Sequence, residues 1–105
     1  MSKQQIVATI FDKRGRELAT GCNSYTKTHP RQAFFARLVG QPQKVYLHAE
    51  IAALAKLARG RGSRPHSIYI ERRNAQGDLR LAAPCPLCTL ALKMSGIKQI
   101  SYSVG

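Results

Sequence analysis

Pro84-Cys85-Pro86-Leu87-Cys88-Thr89-Leu90-Ala91-Leu92-Lys93-Met94-Ser95-Gly96 is the stretch on which the reading turns. Proline suits the first turn of a helix, where its missing N–H would have no intrahelical partner anyway. The chain then stays apolar to Met94 and meets Gly96, a C-terminal cap. A helix is expected over Pro86 to Met94, with both cysteines near its N-terminus, where the helix dipole favours thiolate and hence metal binding. Ahead of it, Ser67-Ile68-Tyr69-Ile70 reads as a strand running into Glu71-Arg72-Arg73. Asn74-Ala75-Gln76-Gly77 is a turn, and Leu79 to Leu81 extends that strand as a hairpin. Behind the helix, Ile97 to Ser103 is a last strand.

Working towards the N-terminus, a second helix begins near Leu47. Ile51, Leu54, Ala55 and Ala58 keep the i, i+3, i+4, i+7 spacing, and Gly60 stops it. A shorter helix fits between Gln32 and Val39, ended by Gly40 and Pro42. Asn23 to Pro30 is polar and reads as a loop. Ile6-Val7-Ala8-Thr9-Ile10-Phe11 reads as a strand buried on both faces. It turns through Asp12 to Arg16 into a second strand over Glu17 to Cys22. The resulting order, ββ, loop, α, β, α, β, implies a three-layer α/β/α sheet or a close relative.

At 105 residues and 11.6 kDa the chain has room for one domain, 1–105, and too little for two cores. A hydrophobic content of 44% with 21% charged residues is ordinary globular usage and argues against disorder. No run of 18 apolar residues exists, which excludes a transmembrane helix, and the apolar start ends at Asp12, short of a secretory signal core. A cytoplasmic location is expected, or the host cytosol for a phage-encoded chain. The charge is less ordinary: 17 Lys and Arg against 5 Asp and Glu leave +12. Such a surface repels itself and calls for an anionic partner, nucleic acid first, then a small phosphorylated substrate. Arg31, Arg59, Arg61, Arg64, Arg72 and Arg73 are the candidate phosphate contacts, since arginine grips phosphate with paired hydrogen bonds.

Three soft ligands stand out: His48, Cys85 and Cys88. A Cys-x-x-Cys pair alone is a redox pair, half of a structural zinc site, or two core thiols. A fourth ligand to close a structural site is hard to find, because Cys22, His29 and His66 stand singly. Three protein ligands and one open position is the catalytic zinc arrangement. Glu50 lies two residues beyond His48, and at a helix start both can reach a group beyond the helix end. Its structural alternative is a carboxylate that favours the helix dipole.

His48-Ala49-Glu50 followed by Pro84-Cys85-Pro86-Leu87-Cys88 resembles the H-x-E…P-C-x-x-C signature of the zinc-dependent nucleobase deaminases. The element order is similar to the cytidine deaminase-like fold, and the resemblance runs from Ile6 to Ser103. It implies one Zn²⁺ per chain on His48, Cys85 and Cys88. Glu50 would take a proton from the zinc-activated water and pass it to the ring nitrogen, then to the departing amine. It further implies Ala49 N–H towards the pyrimidine carbonyl, Ala83 C=O towards the amine, and Asn23 on the sugar. Members commonly carry a helix before the first strand and elements after the last. This chain reads as a minimal version without them, one sheet face poorly covered, and a homo-oligomer is expected to cover it.

Cytosine in single-stranded DNA, or RNA, is the first substrate reading. The charge supports it, and Tyr25 and His29, in the loop before the active helix, could contact the substrate. A free nucleotide is the alternative, from a likeness to small phage-type deoxycytidylate deaminases. Adenosine deamination in tRNA and a silent, zinc-stabilised nucleic-acid-binding module are further readings. Cys22 is expected to be a small buried hydrophobe, and His66 an ordinary surface residue.

Overall fold

The computed structural model describes residues 5–24, 30–38, 40, 48–57, 64–83 and 85–104, and of Arg31, Phe35, Pro86 and Leu87 the backbone alone. Tyr25, His29, Arg59, Arg61 and Pro84 fall outside these residues. The elements run β1 (Gln5–Phe11), β2 (Glu17–Cys22), α1 (Pro30–Leu38), α2 (Ala49–Leu57), β3 (Ser67–Arg73), β4 (Leu79–Arg80), α3 (Pro86–Met94) and β5 (Gln99–Tyr102). The strands form one mixed sheet of five. β1 lies between β2 and β3, antiparallel to both, and the far edge of β3 is shared. Its first half, Ser67 to Ile70, pairs with β5 in parallel, and Arg72 and Arg73 pair with β4 antiparallel.

Ser103 joins the two partners of β3. Its amide donates to Ile70 O and its carbonyl accepts the Ala82 amide. Its buried hydroxyl accepts the Arg72 amide at 3.0 Å and donates to Arg80 O at 2.7 Å. Four bonds through one small residue, two from its backbone and two from its hydroxyl, fix the 80–83 segment against β3. That segment leads into α3 and the two cysteines.

One core holds the molecule. Ala8 and Ile10 of β1 and Ile68 and Ile70 of β3 meet Ile51, Ala53 and Leu54 of α2, Ala36 of α1, and Cys88, Ala91 and Leu92 of α3. Successive strand residues alternate faces, so all three described helices lie on the face these residues share. The opposite face carries Val7, Thr9 and Phe11, half-buried, and Tyr69, exposed. The expectation of a β1 buried on both faces therefore holds on one face only.

Cys22 is exposed, against expectation. It pairs with Val7 on the edge strand, on the face opposite the described helices, while Gly21 takes the position towards α2. A Cβ at Gly21 would lie 2.6 Å from Ala49 O and 2.8 Å from the Ala52 carbonyl carbon. Only hydrogen fits there. The helix can sit this close because its buried surface is largely alanine: Ala49, Ala52 and Ala53. The periodicity that singled out Ile51 and Leu54 passed over these alanines, whose small volume makes the contact.

Candidate active site

Two helices aim their N-termini at one place. The His48 carbonyl accepts the Ala52 amide and the Cys85 carbonyl accepts the Thr89 amide, each at 2.9 Å. His48 and Cys85 therefore cap α2 and α3, and each helix begins one residue after its expected or observed donor: α2 at Ala49 rather than Leu47, α3 at Pro86. Cap residues leave the helix with extended backbone, as at Cys85 (φ −72°, ψ 167°), which points their side chains beyond the helix end. Cys88 follows one turn into α3 and is fully buried.

His48 Nδ1 lies 3.2 Å from Cys88 Sγ and 3.7 Å from Cys85 Sγ. All three donor atoms fall within 4.8 Å of one another. Zinc bonded to sulfur at about 2.3 Å and nitrogen at about 2.0 Å in a tetrahedron sets N···S edges of about 3.5 Å. The observed separations fit that ion. Among the described residues no other His, Cys, Asp or Glu joins the group, so three protein ligands leave a fourth position for water or substrate.

The two thiols are biased in opposite directions. A hydrogen bond with Cys88 draws Cys85 down to about 3, helped by His48. The same bond and burial hold Cys88 up. A bound dication would favour thiolate on both sulfurs, since the thiolate is the ligand. Glu50, in the first turn of α2, is 6% exposed. Burial raises its pKa above the ordinary 4.5, partly offset by hydrogen bonds and by His48. A carboxyl held above its usual range can both take and return a proton near neutral pH.

A cavity of about 300 Å³ opens onto these groups and is lined by His48, Glu50 and Cys85. Asn23 and Ser24 from the end of β2 stand on its wall, with Ile6 and Ile70 beneath, and Arg72 of β3. Leu81, Ala82 and Ala83 border it from the segment tied by Ser103. Ala83 is exposed, and Ala49 is buried at the start of α2. Asn23 does two things: its Oδ1 accepts the Ile6 amide at 3.0 Å, closing the β1–β2 end, and its side chain lines the cavity. The turn reading and the binding reading of this residue are thus compatible.

The arginines divide. Arg72 lines the cavity. Arg73 does not: its Nε pairs with Glu71 at 3.1 Å and its guanidinium donates to Gly77 O at 2.7 Å, bracing the β3–β4 turn. Arg64 sits before β3, at the other end of the sheet, and lines a different cavity. Arg31 is placed in α1 by its backbone alone.

Sequence reasoning missed three contributors. Gln32 is fully buried in α1, and its Oε1 accepts the His48 amide at 3.2 Å, steadying the α2 cap. Ser103 and Leu81, exposed by 55%, were the others. A buried glutamine on a helix with no marked apolar stripe was the one available signal, since such an amide needs a partner.

Residues 1–104 match the family described as cytidine and deoxycytidylate deaminase zinc-binding region. Among solved structures, cytidine deaminase from Mycobacterium leprae is similar with a TM-score of 0.60 at 20% identity, over 94% of this chain and 70% of that one. The dCMP deaminase of cyanophage S-TIM5 gives 0.56 at 23% identity, over 92% and 64%. Cytidine deaminase from Mycobacterium tuberculosis gives 0.55 at 20% identity, over 97% and 72%. No curated protein matches by sequence. At these identities the structural likeness shows the fold, and the chain spans 64 to 72% of the length of these three proteins. Family match and donor geometry agree on zinc as the cofactor, with His48, Cys85 and Cys88 as the fitting site. The chain belongs to the family of the cytidine and deoxycytidylate deaminase zinc-binding region.

Proposed function

We propose that the chain hydrolyses the exocyclic amine of cytosine carried on a single nucleic-acid strand, giving uracil and ammonia. The observation that carries this reading is Arg72 lining the same cavity as Glu50, His48 and Cys85, on a chain of net charge +12. When bound, Zn²⁺ supplies a Lewis acid that makes water nucleophilic near neutral pH. Glu50 would carry one proton of the attacking water to the ring nitrogen and then the remaining hydroxyl proton to the amine, so that the water's oxygen stays on the ring carbon and ammonia leaves. Ala49 N–H holds the pyrimidine carbonyl, Ala83 C=O accepts from the amine, and Asn23 holds the sugar. Arg72 takes the phosphate of the reacting nucleotide, and Leu81 lies against the base or its neighbour.

A free deoxycytidylate is the second reading. It is favoured by a cavity of about 300 Å³ whose described lining holds one arginine, enough for a single phosphate. Zinc-loaded protein would be given a single-stranded oligonucleotide with one cytosine and, separately, deoxycytidylate, both read by the gain of about one mass unit on deamination. Conversion of the oligonucleotide with little change in the nucleotide supports the strand reading. The reverse assigns a nucleotide enzyme and overturns it.

A further inference from the structure

A second cavity, of about 420 Å³, lies at the opposite end of the sheet. The register fixes its place: Arg72 and Ile70 border the active cavity, whereas His66, just ahead of β3, borders this one. Six residues at about 3.3 Å each separate the two by about 20 Å. α3 agrees, since its N-cap, Cys85, borders the active cavity and the residues just past its end, Ser95 and Gly96, border the second.

Three cationic side chains line it: Lys13 from the β1–β2 turn, Arg64 ahead of β3, and Lys98 ahead of β5. His66 and Ser95 are the further polar residues, and no carboxylate is in the described lining. The frame is fixed by backbone: the His66 amide donates to Phe11 O, and the His66 carbonyl accepts the amides of Lys98 and Gln99. The neighbouring acid cannot neutralise the cluster. Asp12 is engaged within its own turn, accepting Arg14 N and Arg16 N and pairing with Arg16 Nε, all at 2.9 Å. Nor are these cations needed as caps of α3. The Ala91, Leu92 and Lys93 carbonyls already accept from the amides of Ser95, Gly96 and Ile97, with the Ser95 hydroxyl on Ala91 O as well. Among the described residues the two ion pairs are Asp12–Arg16 and Glu71–Arg73, and neither involves the cavity.

We propose that this cavity is a second anion site, taking a phosphate group between Lys13, Arg64 and Lys98. Three long cations from three segments, converging on one concave frame without a carboxylate, fit the charge and the tetrahedral oxygens of that group. The phosphate comes from a nucleic-acid backbone or from a free phosphate ester, and the two sources separate experimentally. Uniformly nitrogen-15-labelled, zinc-loaded protein is titrated with inorganic phosphate and, in parallel, with single-stranded oligothymidylate, which has no amine to lose. Turnover at the other end of the sheet therefore does not enter the readout. The amide signals of His66, Gly96 and Lys98 are expected to move and saturate. Stronger binding of the strand than of phosphate assigns the backbone, and equal binding assigns the free ester. In the double variant Arg64→Ala, Lys98→Ala the shifts should vanish with zinc content unchanged, and the log–log salt slope for the strand should become shallower by about 1.4, for two phosphate contacts on a single strand. Signals that stay still with both probes, or that move equally in the double variant, overturn the proposal.

Discussion

The two ends of β3 present opposite solutions to holding charge. At the Arg72 end the reactive groups are withdrawn from water, set at the positive ends of two helices, and braced by Gln32, Asn23 and Ser103. At the Ser67 end the charged groups are exposed on flexible stems and only the backbone beneath them is braced. The first end fixes the directions of its reactive groups, as bond chemistry requires. The second collects charge, which needs no such accuracy. Perturbing the first should alter metal, fold and turnover together, and perturbing the second should alter anion binding alone.

The largest effect belongs to the metal ligands. Cys88→Ser removes a fully buried donor, and zinc measured by elemental analysis should fall from one per chain to nearly none, with thermal stability falling too, since metal binding here adds directly to folding free energy. Glu50→Gln separates chemistry from structure. Turnover should drop by about 10²–10⁴-fold, the ordinary contribution of a general acid–base, while zinc stays bound. Its pH behaviour has a definite sign. Burial raises the folded pKa of Glu50 above 4.5, so in chelated protein the cost of its ionisation is absent below 4.5. The cost grows as pH rises through the folded pKa. Melting curves across that window should show wild type losing stability on the alkaline side, and Glu50→Gln losing less.

Gly21→Ala tests the seat of α2. The added methyl meets helix backbone, an overpacking that costs about 1–3 kcal/mol, read as a melting temperature lowered by about 4–8 °C per kcal/mol. Gln32→Ala removes the acceptor of the His48 amide in a buried setting, at about 1–3 kcal/mol, and zinc should be held more weakly because the α2 cap loosens. At the other end, Arg64→Ala with Lys98→Ala should stay within about 0.5 kcal/mol of wild type in stability. A loss of zinc from that double variant would break the contrast.

This contrast also explains what could be read in advance. His48 and Glu50 are two apart, Cys85 and Cys88 three apart, because each pair rides on one helix start, and a local constraint leaves a local spacing. The helix over Pro86–Met94 was legible for the same reason, with proline at its first position and Gly96 past its end. The Lys13, Arg64, Lys98 cluster is built from segments tens of residues apart, so no spacing records it. Gln32 and Ser103 escaped because their roles are hydrogen bonds to distant backbone. Cys22 is exposed where burial was expected because composition does not tell a strand's two faces apart, and all the described helices lie on the other face. Arg73 looked like a phosphate contact, and its engagement with Glu71 and Gly77 depends on turn geometry.

The central claim is that Glu50 works on a cytosine base presented to a zinc held by His48, Cys85 and Cys88. The most direct test measures zinc stoichiometry and deamination together, by elemental analysis and by mass spectrometry of a cytosine-containing strand and nucleotide, for wild type and Glu50→Gln. The account expects one zinc in both and conversion in wild type alone. Equal conversion by the two proteins, or no conversion of either substrate by wild type carrying its zinc, would contradict it.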